Sequence, residues 1–228
     1  FDCMATDFAA SIFRHRRAAI MAIPPASLSR IAACFASLFA AVTAAAEDWP
    51  TFMHDRARSG VSGETLALPL NENWSYTPPA EPVRAWPSPQ PGYNELPKLA
   101  FDDATHVALA GDTVFFGSAV DNGIHAVDAR TGAARWTFFT EGPVRLAPTV
   151  ADGRVYAGSD DGRVMLTRND GGTWEDLSDN MKGVPALAHV AKVEASSHDS
   201  GTVYVVRDNH REGDYKPYVF MSTDWGKT

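Results

Sequence analysis

Arg207, Asp208, Arg211, Asp214, Tyr215 and Tyr218 crowd one stretch of the sequence. They are the residue types of acid–base and nucleophilic chemistry, yet residues this common also cluster by chance, and the stretch reads first as a solvated loop. His189, His198 and His210 stand nine and twelve residues apart, spacings that fit no compact metal motif and that turn and surface histidines explain. Asp160-Asp161-Gly162 and Asn169-Asp170-Gly171 have the start of a calcium loop, but neither continues to the acidic ligand of an EF-hand, and hairpin turns account for both. His54 and Asp55 read as turn caps. The sequence therefore nominates no catalytic, cofactor-binding or metal residue, and no cofactor.

The elements that position these residues are short. Between 105 and 140, apolar runs at 106–110, 113–118, 124–128 and 134–139 are separated only by Gly111-Asp112, Asp121-Asn122-Gly123 and Arg130-Thr131-Gly132. Such turn residues tolerate the positive φ of a tight hairpin, so the stretch predicts four antiparallel strands, one complete blade of a β-propeller. Ala134, Trp136 and Phe138 alternate onto one face and are expected to bury a large aromatic between blades. Val114 to Ser118 is echoed by Val155 to Ser159 at an offset of 41 residues, about one blade, with 141–148 as the connection.

The segment 126–136, with Asp128, Thr131, Gly132 and Trp136, resembles the A-x-D-x-x-T-G-x-x-x-W repeat of the pyrroloquinoline-quinone (PQQ)-type propellers. That family includes quinoprotein dehydrogenases, an outer-membrane-assembly lipoprotein and many secreted propellers. Further on, Thr167, Asn169, Gly171, Thr173 and Trp174 resemble the Asp-box, S-x-D-x-G-x-T-W, of sialidase-like and sortilin-like propellers. Ser222, Asp224, Gly226 and Thr228 match that box again, 55 residues later. The second resemblance implies a structural hairpin whose polar side chains bond its own backbone. A hybrid follows, PQQ-like over about 47–164 and Asp-box-like over about 158–228, arising as a natural fusion or as a join in sequence assembly. A PQQ dehydrogenase would need quinone-stacking residues, calcium ligands and often an adjacent cysteine pair. A sialidase would need clustered arginines and a carboxylate-assisted tyrosine drawn from several blades.

Between the two boxes, 188–195 and 202–208 alternate as strands around a turn at 198–201. The residues 209–217 read as a charged loop, and 218–222 as the start of another strand, so the third blade lacks its outer strand. Upstream, residues 47–60 open with Trp49 and are expected to close a propeller ring by pairing with its last blade. Residues 66–99 are proline-rich and read as an ordered arm, with one short strand at Trp74-Ser75-Tyr76 and an aromatic–proline anchor at Trp86-Pro87.

Residues 21–46 have the layout of a secretory signal peptide: Arg30, a small apolar run, Ala44-Ala45-Ala46, then Glu47-Asp48. Cys3 and Cys34 precede the expected cleavage point, so disulfides are not expected to staple the exported chain. Of 228 residues, 45% are hydrophobic and 21% charged, with a net charge of −8, which argues against nucleic acid or anionic membrane as partners. The expectation is an all-β, incomplete propeller of about two to three four-stranded antiparallel blades after an N-terminal signal helix. Its segments are 1–20 (upstream or extended N-terminal segment), 21–46 (signal peptide), 47–104 (closing strand and arm), 105–164 (PQQ-like blades) and 165–228 (Asp-box blades, truncated). The expected role is that of an exported, periplasmic or extracellular binding module without catalysis, taking a protein or glycan ligand and self-associating through open blade edges. The alternative is a truncated fragment of a sialidase-like glycoside hydrolase or a quinoprotein dehydrogenase.

Overall fold

Val, Phe, Tyr and Thr recur in the runs that become strands, because their branched or flat side chains fit a pleated surface. The hairpins between them turn through residues such as Asn122 (φ 57°) and Asp152 (φ 49°), which accept the left-handed conformation better than other non-glycine residues. The structure, a computed structural model, describes residues 47–80 and 105–228. The expected signal segment and the Trp86-Pro87 anchor lie outside the described residues.

Among the described residues, three antiparallel sheets follow one another in chain order. The first blade is β1 (Val107–Ala110), β2 (Thr113–Gly117), β3 (Gly123–Asp128) and β4 (Ala134–Phe139), paired in that order. The second is β5 (Thr149–Ala151), β6 (Arg154–Gly158), β7 (Val164–Thr167) and the short β8 (Glu175–Asp176). The third has β9 (His189–Ala195), β10 (Val203–Asn209) and β11 (Asp214–Ser222), with β10 in the middle. The described residues form no α-helix, and none of their helices is long and apolar enough to cross a membrane. The three sheets do not close into a ring, so the fold is an incomplete propeller.

Blades are held by apolar faces pressed together, the main source of stability in such an architecture. Between the first and second blades, Ala108, Phe115 and Ala126 meet Val155, while Ile124 and Val144 meet Ala157 and Met165. Between the second and third, Tyr156, Val164, Leu166 and Leu177 meet Val190, Val193, Val203 and Val205. Trp136 and Phe138 do lie in the first of these seams, packed around Trp174, but Ala134 is exposed, because it lies at the turn end of β4, outside the seam.

Three expectations are revised. The segment 214–217 is strand and not loop: β11 begins at Asp214, and Pro217 is accommodated because β11 is the outermost described strand of its sheet. Residues 47–60 do not form a separate closing strand. Trp49 exchanges both backbone hydrogen bonds with Leu109 of β1 (2.8 and 2.7 Å), and Val150 N–H of β5 donates to the Pro50 carbonyl (2.8 Å). Arg58 then reaches Glu194 of β9 at 2.6 Å, and Arg56 reaches Ser197 beyond it at 2.9 Å. The segment thus crosses the first strands of all three blades, drawn there because Trp49 finds an apolar seat beside Leu109, Val114 and Phe116. Trp74 shares that seat, and its segment is not in a strand.

Candidate functional site

In each blade an up-and-down meander puts the hairpin between its third and fourth strands at one end, here called the lower face. The hairpin between the second and third strands lies at the opposite, upper end, as do the connections between blades. All the repeat-motif residues except the two tryptophans fall in lower-face turns. In the first blade, Asp128 Oδ1 accepts Thr131 N–H and Oγ1–H, both at 3.0 Å, and Oδ2 takes Arg135 at 2.9 Å. The Arg135 and Thr131 hydrogen bonds hold the Asp128 carboxyl far below the usual carboxylate range. In the second, Thr167 Oγ1 accepts Gly171 N–H at 3.0 Å and Asn169 Oδ1 accepts Thr173 N–H at 2.9 Å. In the third, Ser222 Oγ accepts Gly226 N–H at 2.8 Å and Asp224 Oδ1 accepts Thr228 N–H at 2.9 Å. The last two turns have the same hydrogen-bond pattern, and the bonds from Ser222 and Thr228 hold the Asp224 carboxyl down at about 2. These side chains close their own turns.

Each of these turns also receives a side chain from the unit before it. A Cβ at Gly132 would lie 2.8 Å from Trp74, one at Gly171 2.6 Å from Trp136, and one at Gly226 2.5 Å from Leu177. The indole N–H groups follow suit: Trp74 donates to the Ala129 carbonyl and Trp136 to Asp170 Oδ1, both at 3.0 Å. Glycine at these positions is therefore an inter-blade docking point, and not only a turn former.

Charge concentrates on the upper face, at the junction of the second and third blades. Arg145, from the connection between blades, meets Asp160 Oδ2 at 2.6 Å, and Arg211 approaches the same oxygen at 3.9 Å. Arg163 joins Asp176 (2.6 Å), Glu141 (3.1 Å) and Asp161 (3.5 Å). His210 Nδ1 lies 2.6 Å and His189 Nε2 3.8 Å from Asp208, and the two rings are 6.0 Å apart. Burial, reinforced by the Arg211 charge, lowers the His189 pKa. Burial tends to raise the Asp208 pKa, but hydrogen bonds from His210 outweigh it and bring it down.

Sequence spacing did not foresee that His189 and His210 would meet; cross-strand pairing of His189 with Asp208 brings them together. His198 goes elsewhere, to the lower end, where it contacts Arg56. Nor did any spacing point to Asp160 as the partner of Arg145 and Arg211, since Arg145, Asp160 and Arg211 lie in the connection before β5, the β6–β7 hairpin and the β10–β11 hairpin. His54 and Asp55 do shape a turn: Asp55 accepts Ser59 N–H at 3.0 Å, and His54 pairs with Glu47 at 3.3 Å. No group of three or more His, Cys, Asp or Glu among the described residues could hold a metal ion.

The tyrosine and arginine candidates do not converge. Arg207 is buried and donates to the Ala188 and Ala186 carbonyls at 3.0 and 2.7 Å, so its charge serves the backbone. Tyr218 donates to Asp214 at 2.6 Å within one strand, and Tyr215 is exposed. A cavity of about 270 Å³ opens between the crossing segment and the first strands of the second and third blades, with Phe52, Leu146, Thr149 and Val190 among its walls. Its cations are engaged, since Arg58 (2.6 Å) and Lys192 (3.2 Å) both pair with Glu194.

Among the families of known proteins, the one described as outer membrane protein assembly factor BamB matches residues 84–210. Twenty-one chains of solved structures show significant similarity. One is the crystal structure of BamB from Moraxella catarrhalis, 21% identical, aligned over 51% of this chain and 31% of that one with a TM-score of 0.36. The chain thus corresponds to less than a third of that protein's length. No curated protein matches the sequence significantly.

Proposed function

Because the chain belongs to the propeller family of the outer membrane protein assembly factor BamB, we propose that it is an exported, non-catalytic interaction module whose upper face recognises a protein or glycan of the cell envelope. The observation that carries this reading is the charged junction of the second and third blades, where Arg145, Arg163, Arg211, His189 and His210 stand among carboxylates on loops held by a rigid sheet scaffold. Such an array suits a polar ligand with charges of both signs. The lower-face turns of the second and third blades support a second element of the proposal, that an Asp-box-type repeat continues the PQQ-type one. The change falls within one sheet, since β7 spans the proposed boundary at residue 164. Export through cleavage after Ala46 completes the reading.

Screening the purified chain against glycans and envelope proteins, followed by Arg211→Glu, tests it. The variant should weaken binding of the selected ligand about tenfold or more, without lowering the melting temperature. An unaltered affinity would move the site away from this face. The rival reading is a remnant of a sialidase-like hydrolase or a quinoprotein dehydrogenase, and turnover of a sialoside, or of an alcohol with added quinone, would establish it against ours.

A further inference from the structure

Among the described residues four buried side-chain nitrogen or oxygen atoms have no hydrogen-bond partner, and three of them gather at the lower end of the seam between the second and third blades. They are Arg154 Nε, the Tyr156 hydroxyl and the Trp225 indole Nε1; the fourth, His54 Nδ1, lies in the crossing segment. Arg154 and Tyr156 stand two apart on β6, so they share a face, and Tyr156 packs on that face against Val203 and Val205 of the third blade. Trp225, in the turn after β11, lays its ring over the Arg154 guanidinium, 4.6 Å from the ring centroid. Its other neighbour is Gly201 in the β9–β10 hairpin, where a Cβ would stand 3.1 Å from the indole.

All three groups donate. Burial raises the Tyr156 pKa against the pull of the Arg168 and Arg154 charges, so the hydroxyl keeps its proton. Arg154 makes no ion pair among the described residues, and its Nη1 donates only to the Asp152 carbonyl at 2.8 Å. The carboxylates around it are engaged elsewhere: Asp152 accepts Ser200 Oγ–H at 2.7 Å, and Glu175 pairs with Arg168 at 3.0 Å. The two earlier turns do supply acceptors, since Trp74 donates to the Ala129 carbonyl and Trp136 to Asp170 Oδ1. In the third turn Trp225 itself takes the place that Asp170 holds in the second, two residues before the end of the same hydrogen-bonded loop, so a donor stands where an acceptor stood. Trp225 is also held in the left-handed conformation (φ 60°), which a bulky side chain adopts at a cost and which recurs at ligand sites. Its turn is closed by Ser222 and Asp224, and the described residues alone bury the three donors.

Buried donors without acceptors destabilise a fold unless something else uses them. An unpaired guanidinium flanked by an indole N–H and a phenol O–H is the complement of a group that only accepts and carries negative charge. We propose that the lower end of this seam binds a compact oxyanion, a carboxylate or a sulfate, held by Arg154 with the Trp225 indole and the Tyr156 hydroxyl and admitted as the Trp225 ring shifts off the guanidinium. The site lies at the opposite end of the blades from the charged upper face, so it goes beyond the interaction reading and stands or falls separately.

Titration of the full chain with sodium sulfate and with sodium acetate, against sodium chloride at matched ionic strength, tests the proposal through the indole N–H resonances. The Trp225 resonance, assigned by its loss in Trp225→Phe, should move and saturate in the millimolar range with sulfate, acetate or both, and not with chloride. Sulfate alone identifies a tetrahedral anion, acetate alone a carboxylate. Arg154→Met should weaken binding about tenfold or more. Tyr156→Phe should weaken it a few-fold while leaving the anion-free melting temperature unchanged or higher, because it removes an unpaired buried hydroxyl. That split separates a binding role from a structural one. A Trp225 resonance that neither anion moves, one that chloride moves equally, or titrations that both variants leave unaltered would overturn the proposal.

Discussion

Arg207 shows how a residue type suited to chemistry can be fully occupied by structure. Its guanidinium satisfies two carbonyls of the 185–188 segment and lies in the buried seam between blades. Arg207→Ala would orphan both acceptors and leave a void, at a cost of about 3 kcal/mol, whereas loss of binding with unchanged stability would mean that the residue faces a ligand after all. Gly171 makes a parallel case. With φ at 80° and Trp136 within 2.6 Å of where a Cβ would stand, Gly171→Ala should lower stability by about 1–3 kcal/mol in a denaturant titration. His106 and His189 both have pKa values lowered by burial. The unfolded chain therefore takes up protons first as pH falls, and stability declines below the ordinary imidazole value of 6.5. Melting temperatures measured from pH 8 to pH 5 should drop through that window, and His189→Gln should flatten the drop. At this scale the motif residues were legible, because Asp128, Thr131, Ser222 and Asp224 bond within a few residues of themselves. The upper-face cluster was not, because Arg145, Asp160 and Arg211 are joined only by packing.

Elements were easier to read than sites. The strands of the first blade lie within a residue of the runs that apolar patterning marked, since short runs between strong turn formers leave little freedom. Where the reading slipped, a tertiary contact decided. Asp214–Ser222 extends through a proline and a charged stretch because β10 offers it a ladder, and residues 47–60 follow the seat that Trp49 finds on β1. The seam between the first two blades rests on Trp136 and Phe138 against Trp174, with Phe138 stacked at 4.4 Å. Trp136→Ala should cost about 2–3 kcal/mol and loosen this seam before the third blade, which hydrogen exchange would show as faster opening in β3 and β4 than in β10.

For the molecule as a whole, turns closed by different hydrogen bonds leave the architecture continuous. The Asp128, Thr167 and Ser222 turns take the same place in successive blades, directly after the third strand, and each receives a side chain from the unit before it. Different hydrogen-bonding solutions thus serve one geometric need, which is why two resemblances along one chain are compatible with three blades stacked in order. If the stacking is cooperative, a single thermal transition is expected when tryptophan fluorescence and far-ultraviolet circular dichroism are followed together; two separated transitions would mean that the blades melt independently.

The segment that crosses all three blades carries a consequence for the timing of folding. Thr51 meets Thr149 across 98 positions of sequence, Arg58 meets Glu194 across 136, and Arg56 meets Ser197 across 141. Contacts so remote in the chain wait on closure of long loops and slow the approach to the native state. On the ribosome, residues 47–60 emerge before any of these partners exist; Trp49 can pair once β1 is made, but Arg56 and Arg58 must wait until the third blade is made. Residues 56–58, made among the first of those described, are therefore among the last to be placed, and a chaperone that holds extended segments would find its natural client there.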